Sequence, residues 1–112
     1  MTMKHAFLIM AHGSLPLLRV LLSMLDDERN DIFLHIDRKS DMLDGAEPLV
    51  LSKARLFLLE QRVDVRWGNL SQIKAEYVLF EEALKHGPYA YYHLLSGQDL
   101  PIKSQDYIHQ FF

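Results

Sequence analysis

The chain contains no cysteine. That excludes a disulfide framework and a zinc–thiolate site, and it fits a reducing compartment. There is no excess of positive charge: 12 Lys and Arg against 15 Asp and Glu give a formal net charge of -3. A basic nucleic-acid-binding surface is therefore not expected. No apolar run approaches the ~20 residues of a membrane span. The start, Met1-Thr-Met-Lys-His5, leads directly into a strand-like run. A signal peptide would need a longer apolar core and a small-residue cleavage site, so the expected location is cytoplasmic. Neither G-x-G-x-x-G nor G-x-x-x-x-G-K-[ST] occurs, so neither glycine-rich phosphate cradle is present. No G-x-S-x-G elbow, no D-x-D pair that would clamp a metal on a diphosphate, and no i, i+4 histidine pair is found.

What is present is a chain of 112 residues, 49% of them hydrophobic, enough for one small domain with its own core. Residues 6–11 (AFLIMA) and 32–36 (IFLHI) are continuous apolar runs, the mark of strands buried on both faces. Between them Ser14 is placed to cap a helix with Pro16 in its first turn, and Leu15, Leu18, Leu22 and Leu25 repeat at helical spacing to about Asp26. Strand, helix, strand with short links predicts a βαβ unit with a right-handed crossover. Gly45 and Pro48 interrupt residues 41–53, where a short helix over 48–54 is expected. Residues 56–59 read as a short strand and 63–65 as another. A strong helix is predicted from Ser71 to Lys85 with Ile73, Tyr77, Phe80 and Leu84 on its packed face, stopped by Gly87-Pro88. A buried strand over 89–95 follows, and Ser104 is placed to cap a last helix that runs to Phe112.

Several residues sit where chemistry is usually placed. Asp37 directly follows a buried strand, where acids of nucleotide-binding sheets accept ribose or base hydrogen bonds; the bland alternative is a surface pair with Arg38 or Lys39. His12, at the end of the first strand, is either a ligand contact or a turn histidine. His35 lies inside a strand and reads as a satisfied core residue. Trp67, the only tryptophan, precedes a glycine and suits stacking on a base or a half-buried anchoring role equally. Asp99 lies in Ser96-Gly-Gln-Asp, a loop after a strand, with a turn carboxylate as its alternative. Tyr89, Tyr91 and Tyr92 read mainly as packing.

Taken together, Phe7-Leu-Ile-Met-Ala-His12, Leu34-His-Ile-Asp-Arg-Lys-Ser40, Trp67-Gly-Asn-Leu-Ser71 and Leu95-Ser-Gly-Gln-Asp-Leu-Pro-Ile-Lys103 resemble the core-2/I-branching glycosyltransferases. These are the β-1,6-N-acetylglucosaminyltransferases and the peptide O-xylosyltransferases. Each motif alone is weak; four in order are specific. The match spans nearly the whole chain but only the amino-terminal part of the family's domain, so residues 1–112 are expected to be the nucleotide-sugar-binding part of one glycosyltransferase domain. The resemblance implies an α/β fold of GT-A type, a mainly parallel sheet with helices on both faces, here incomplete. It implies a UDP-sugar donor, a glycan or other hydroxyl acceptor, inversion of configuration and no cofactor or metal. By resemblance Ile9 lies under the uracil, Asp37 contacts the uridine, Trp67 lies near the base and Asp99 near the sugar-phosphate, with His12 a further substrate-binding residue. The family's carboxylate base and its diphosphate-binding cations lie carboxyl-terminal to the last motif. The base is therefore expected beyond Phe112, and no catalytic residue is assigned. The Golgi members are membrane-anchored, which this chain's lack of an anchor does not match. A non-catalytic nucleotide- or protein-binding module is the alternative, and a flavodoxin-like domain a weaker one. Apolar surface left uncovered would favour self-association.

Overall fold

The computed structural model describes residues 4–66 and 70–96. Six elements follow in chain order: β1 (His5–Ala11), α1 (Leu15–Leu25), β2 (Asn30–Ile36), β3 (Arg55–Leu58), α2 (Leu70–His86) and β4 (Tyr91–Ser96). The strands form one sheet in the order β3-β2-β1-β4, every neighbouring pair parallel. The α/β class and the parallel sheet agree with a GT-A-like fragment. The last helix expected after Ser104, up to Phe112, lies outside the described residues.

The period-2 geometry of a strand explains the layers. On one face Phe7, Ile9, Ala11, Ile32, Leu34 and Ile36 meet Leu18, Leu21, Leu22 and Leu25 of α1. On the other, Ala6, Leu8, Met10 and Phe33 meet Ala75, Leu79 and Ala83 of α2. All of β1 and β2 is buried, which is why residues 6–11 and, apart from His35, 32–36 are apolar. A leucine withdrawn fully from water contributes about 2 kcal/mol, so these two layers carry most of the fold's stability.

The polar positions of the sheet are tied down individually. Asp31, fully buried, receives Arg55 through Nε at 3.1 Å and Nη2 at 2.6 Å, the Tyr89 hydroxyl at 2.6 Å and the Lys4 ammonium at 3.4 Å. Burial alone would raise its carboxyl; the Arg55 and Tyr89 bonds outweigh burial and hold it below the usual range, while burial and Asp31 push the Tyr89 phenol up. Tyr89 and Tyr92 pack against the α2-side core, as expected of them.

Four expectations are corrected. The strand expected to be buried over 89–95 is Tyr91–Ser96, with Tyr91 and Leu94 exposed, because among the described residues β4 is an outer strand of the sheet. Residues 48–54 form no helix: the Asp26 carboxylate accepts from the amides of Ser52 (2.9 Å), Lys53 (2.8 Å) and Ala54 (2.8 Å) and from the Ser52 hydroxyl (2.9 Å), holding a bend there. Residues 63–65 are no strand, because their backbone is satisfied by side chains and a turn, as described below. The stripe Ile73, Tyr77, Phe80 and Leu84 is not the packed face of α2 and is 61%, 66%, 37% and 67% exposed. The helix has two apolar stripes, and the one with two alanines, Ala75, Leu79 and Ala83, lies against the sheet, where the alanines let the layers approach and Leu79 fills the space between them.

Candidate functional site

The strand order reverses between β1 and β4, and open α/β sheets bind ligands at the carboxyl ends of strands near such a switch. Ala11 and Ile36 are in register, so His12 and Asp37 leave the sheet side by side, and the Asp37 amide donates to the Ala11 carbonyl at 2.9 Å. After His12 the chain turns at Gly13, with φ +84, a left-handed conformation that a side chain resists. Ser14 then caps α1, its hydroxyl accepting from the Leu17 amide at 3.2 Å.

That capping has a chemical consequence. The first amides of a helix are the usual place for a phosphate. Here Pro16 has no N–H and the Leu17 amide is already taken by Ser14. The start of α1 is therefore poorly equipped as a phosphate cradle, in keeping with the missing glycine-rich motifs.

A cavity of about 380 Å³ opens at this edge, lined by His12, Gly13, Asp37, Lys39, Ser40 and Val65. Such a volume is in the range of small-molecule sites. A larger one, about 580 Å³, lies beside the outer edge of β3 and not here. The Asp37 carboxylate accepts from the Lys39 amide at 3.0 Å and from the Lys39 ammonium at 3.2 Å. Burial would raise it, but the Lys39 amide and ammonium and the Val65 amide lower it further, so it is ionised at neutral pH. Lys39 also binds the Asp64 carboxylate and, at 2.7 Å, the Val65 carbonyl. Asp64 is approached in addition by Arg38 at 3.9 Å and Arg66 at 3.7 Å.

The loop is held from behind by Arg62, which the sequence did not flag, and by His35, which it offered only as a satisfied core residue. Arg62 donates to three carbonyls, Ile36 (3.1 Å), Asp37 (2.8 Å) and Ser40 (2.7 Å). His35, fully buried, accepts the Val63 amide on Nε2 at 2.8 Å, and the Val63 carbonyl accepts the Arg38 amide at 3.1 Å. The proton of His35 therefore sits on Nδ1, which has no partner among the described residues, so the histidine is only half satisfied. Burial, opposed by the nearby Asp37 charge, lowers its pKa and keeps it neutral. The histidine inside an apolar strand was legible as a core residue but not as a tie to Val63, and for Arg62 the only signal was an arginine between two short apolar stretches.

Of the sequence-derived site residues, the structure brings His12 and Asp37 to one cavity. Ile9 is wholly buried beneath them in the α1-side core, opposite Leu34 and Leu95. Trp67 and Asp99 lie outside the described residues. So does Phe112, beyond which the catalytic base is expected, and no described residue is assigned that role.

A family model described as Core-2/I-Branching enzyme matches residues 5–112. The chain belongs to the core-2/I-branching enzyme family. No curated protein matches it. For a core-2/I-branching enzyme the general activity is glycosyl transfer, with a sugar donor and an acceptor as its partners. Among the described residues of this family member, no helix is long and apolar enough to cross a membrane.

Proposed function

We propose that this sheet edge binds the nucleotide of a UDP-sugar, as the donor half of an inverting glycosyltransferase. The observation that carries the reading is the Asp37 carboxylate: ionised, 6% exposed, and fixed at the end of β2 on the wall of a cavity shared with His12 and Ser40. An ionised carboxylate only accepts hydrogen bonds, which suits ribose hydroxyls or a uracil N–H. Lys39, which Asp37 shares with Asp64 and the Val65 carbonyl, keeps partners when a ligand takes its place on Asp37. The crowded start of α1 supports a donor whose diphosphate is gripped elsewhere by cations. The absent D-x-D pair supports a reaction without a metal.

The transferred sugar is of N-acetylglucosamine or xylose type. A carboxylate base removes the proton of an acceptor hydroxyl; that oxygen forms a bond to the anomeric carbon as the bond to UDP breaks, with inversion and with the leaving electron pair on the phosphate. The base belongs to the family's sequence beyond the 95–103 motif and beyond Phe112, and residues 1–112 form the amino-terminal part of one catalytic domain. A cytoplasmic location completes the reading.

The test is calorimetric titration with UDP. A hydrogen bond to a charged group is worth ~1.5–3 kcal/mol, so Asp37→Ala should weaken UDP about tenfold to a hundredfold. Trp67, the sole tryptophan, should change its fluorescence on titration. Equal UDP affinity in the parent and in Asp37→Ala would sink the reading.

A further inference from the structure

Among the described residues β3 is an outer strand of the sheet. Its inward bonds alternate: Leu59 donates to the Leu34 carbonyl at 2.9 Å, so in a parallel ladder Arg55 and Phe57 also turn their backbone groups toward β2. The amides and carbonyls of Leu56 and Leu58 therefore point away from the sheet. No backbone group among the described residues answers them. Outer strands usually carry a guard against pairing; here Arg55 could provide one, but its guanidinium is turned onto Asp31 and over the Phe57 ring at 5.3 Å.

The two sides of this edge differ in chemistry. On the α1 side, Leu56 and Leu58 line a cavity of about 280 Å³ with Leu43, Ala46, Glu47, Pro48 and Leu49, and Leu58 is half exposed. On the α2 side, Phe57 opens onto the cavity of about 580 Å³ walled by Glu60, Glu81, Glu82 and Lys85. Glu82 is engaged by Lys85 at 3.3 Å and His86 at 3.5 Å. Glu60 and Glu81 enter no ion pair among the described residues, and both are exposed. One side is thus mainly apolar, with the exposed Glu47 as its single charged residue, and the other carries three carboxylates against one lysine.

We propose that the outer edge of β3 is a docking site for an extended peptide segment of a partner protein in which apolar and basic residues alternate. Main-chain bonds to Leu56 and Leu58 would add the segment as a fifth strand. Successive side chains of a strand point to opposite faces. Every second residue therefore enters the apolar cavity, and the residues between reach Glu60 and Glu81. Peptides alternating apolar with acidic residues meet like charge on the α2 side and are refused. The site lies apart from the His12–Asp37 cavity and does not rest on the donor-binding reading.

The probe is a seven-residue, end-blocked peptide alternating valine and lysine, compared with one alternating valine and glutamate. Binding to the 112-residue chain is read by calorimetry and by amide NMR shifts. The lysine peptide should bind at least about tenfold more tightly than the glutamate peptide at low salt, and shift Leu56 and Leu58 most. Glu60→Gln with Glu81→Gln should narrow that preference severalfold. Leu58→Pro removes an outward amide without touching the β2 ladder and should weaken the lysine peptide at least about tenfold. Should Leu58→Pro not fold, a lysine peptide methylated on alternate backbone nitrogens gives the same test on the parent chain and should not bind. Equal affinity for the two peptides, undiminished binding of the methylated peptide, or slow exchange of the Leu56 and Leu58 amides in the free protein would overturn the proposal. So would sedimentation showing that two copies of this chain pair through β3.

Discussion

Asp26 offers a sharp test of how a single side chain shapes this fold. Its carboxylate collects four hydrogen bonds from residues 52–54, 26 to 28 positions along the chain. Burial opposes ionisation, but the amides of Ala54, Ser52 and Lys53 and the Ser52 hydroxyl prevail, and the pKa falls from 3.8 to about 2. A shift of that size corresponds to ~2.5 kcal/mol between protonation states. The group is partly exposed, so solvent screening discounts it to roughly 1 kcal/mol. The sign follows from the depressed folded pKa: the contribution is complete above about pH 4 and disappears as pH falls toward about 2. Asp26→Ala should therefore cost ~1–2 kcal/mol at pH 7, about 3–8 °C in melting temperature, and much less at pH 2. Urea unfolding followed by circular dichroism at both pH values measures it. A cost below ~0.3 kcal/mol at pH 7, or one that does not shrink on acidification, would refute the reasoning.

Two further outcomes test the packing. His35 is held neutral by burial, so the unfolded chain takes up a proton first and stability should fall as pH drops from 7 to 5; His35→Gln should reduce that slope in urea titrations without abolishing it, because His93 is also lowered, by burial and by His5. On α2, Leu79→Ala should cost ~2–4 kcal/mol because Leu79 is fully buried, whereas Tyr77→Lys with Leu84→Lys should change stability by less than ~0.5 kcal/mol each while lowering binding of a hydrophobic dye.

The elements that could be read from the sequence are those whose cause is local. β1 and β2 are apolar on both faces because helices cover both, and the start of α1 is marked by the hydrogen bond of Ser14 to the amide three residues on and by Pro16, whose missing N–H costs nothing there. Asp37 was legible by position, being the first charged residue after a buried strand. What escaped depends on partners far away in sequence. The 48–54 segment is bent by Asp26, and 62–65 is set by His35, Arg38 and Lys39; neither tie has a periodic signature. The orientation of α2 escaped for a different reason. Both of its stripes are apolar, and periodicity finds stripes without saying which one suits the space above the sheet.

The three carbonyls held by Arg62 come from Ile36, Asp37 and Ser40, while its neighbour Val63 is bonded to His35 and Arg38. Two stretches some 25 residues apart are thereby riveted into one rigid body. A molecule that tightens on Asp37 cannot displace residues 37–40 alone; it must carry 62–65 with it. The Arg66 amide donates to the Ser71 hydroxyl at 2.7 Å, which ties this body to the first turn of α2, so amide exchange in residues 70–73 should slow when the cavity fills.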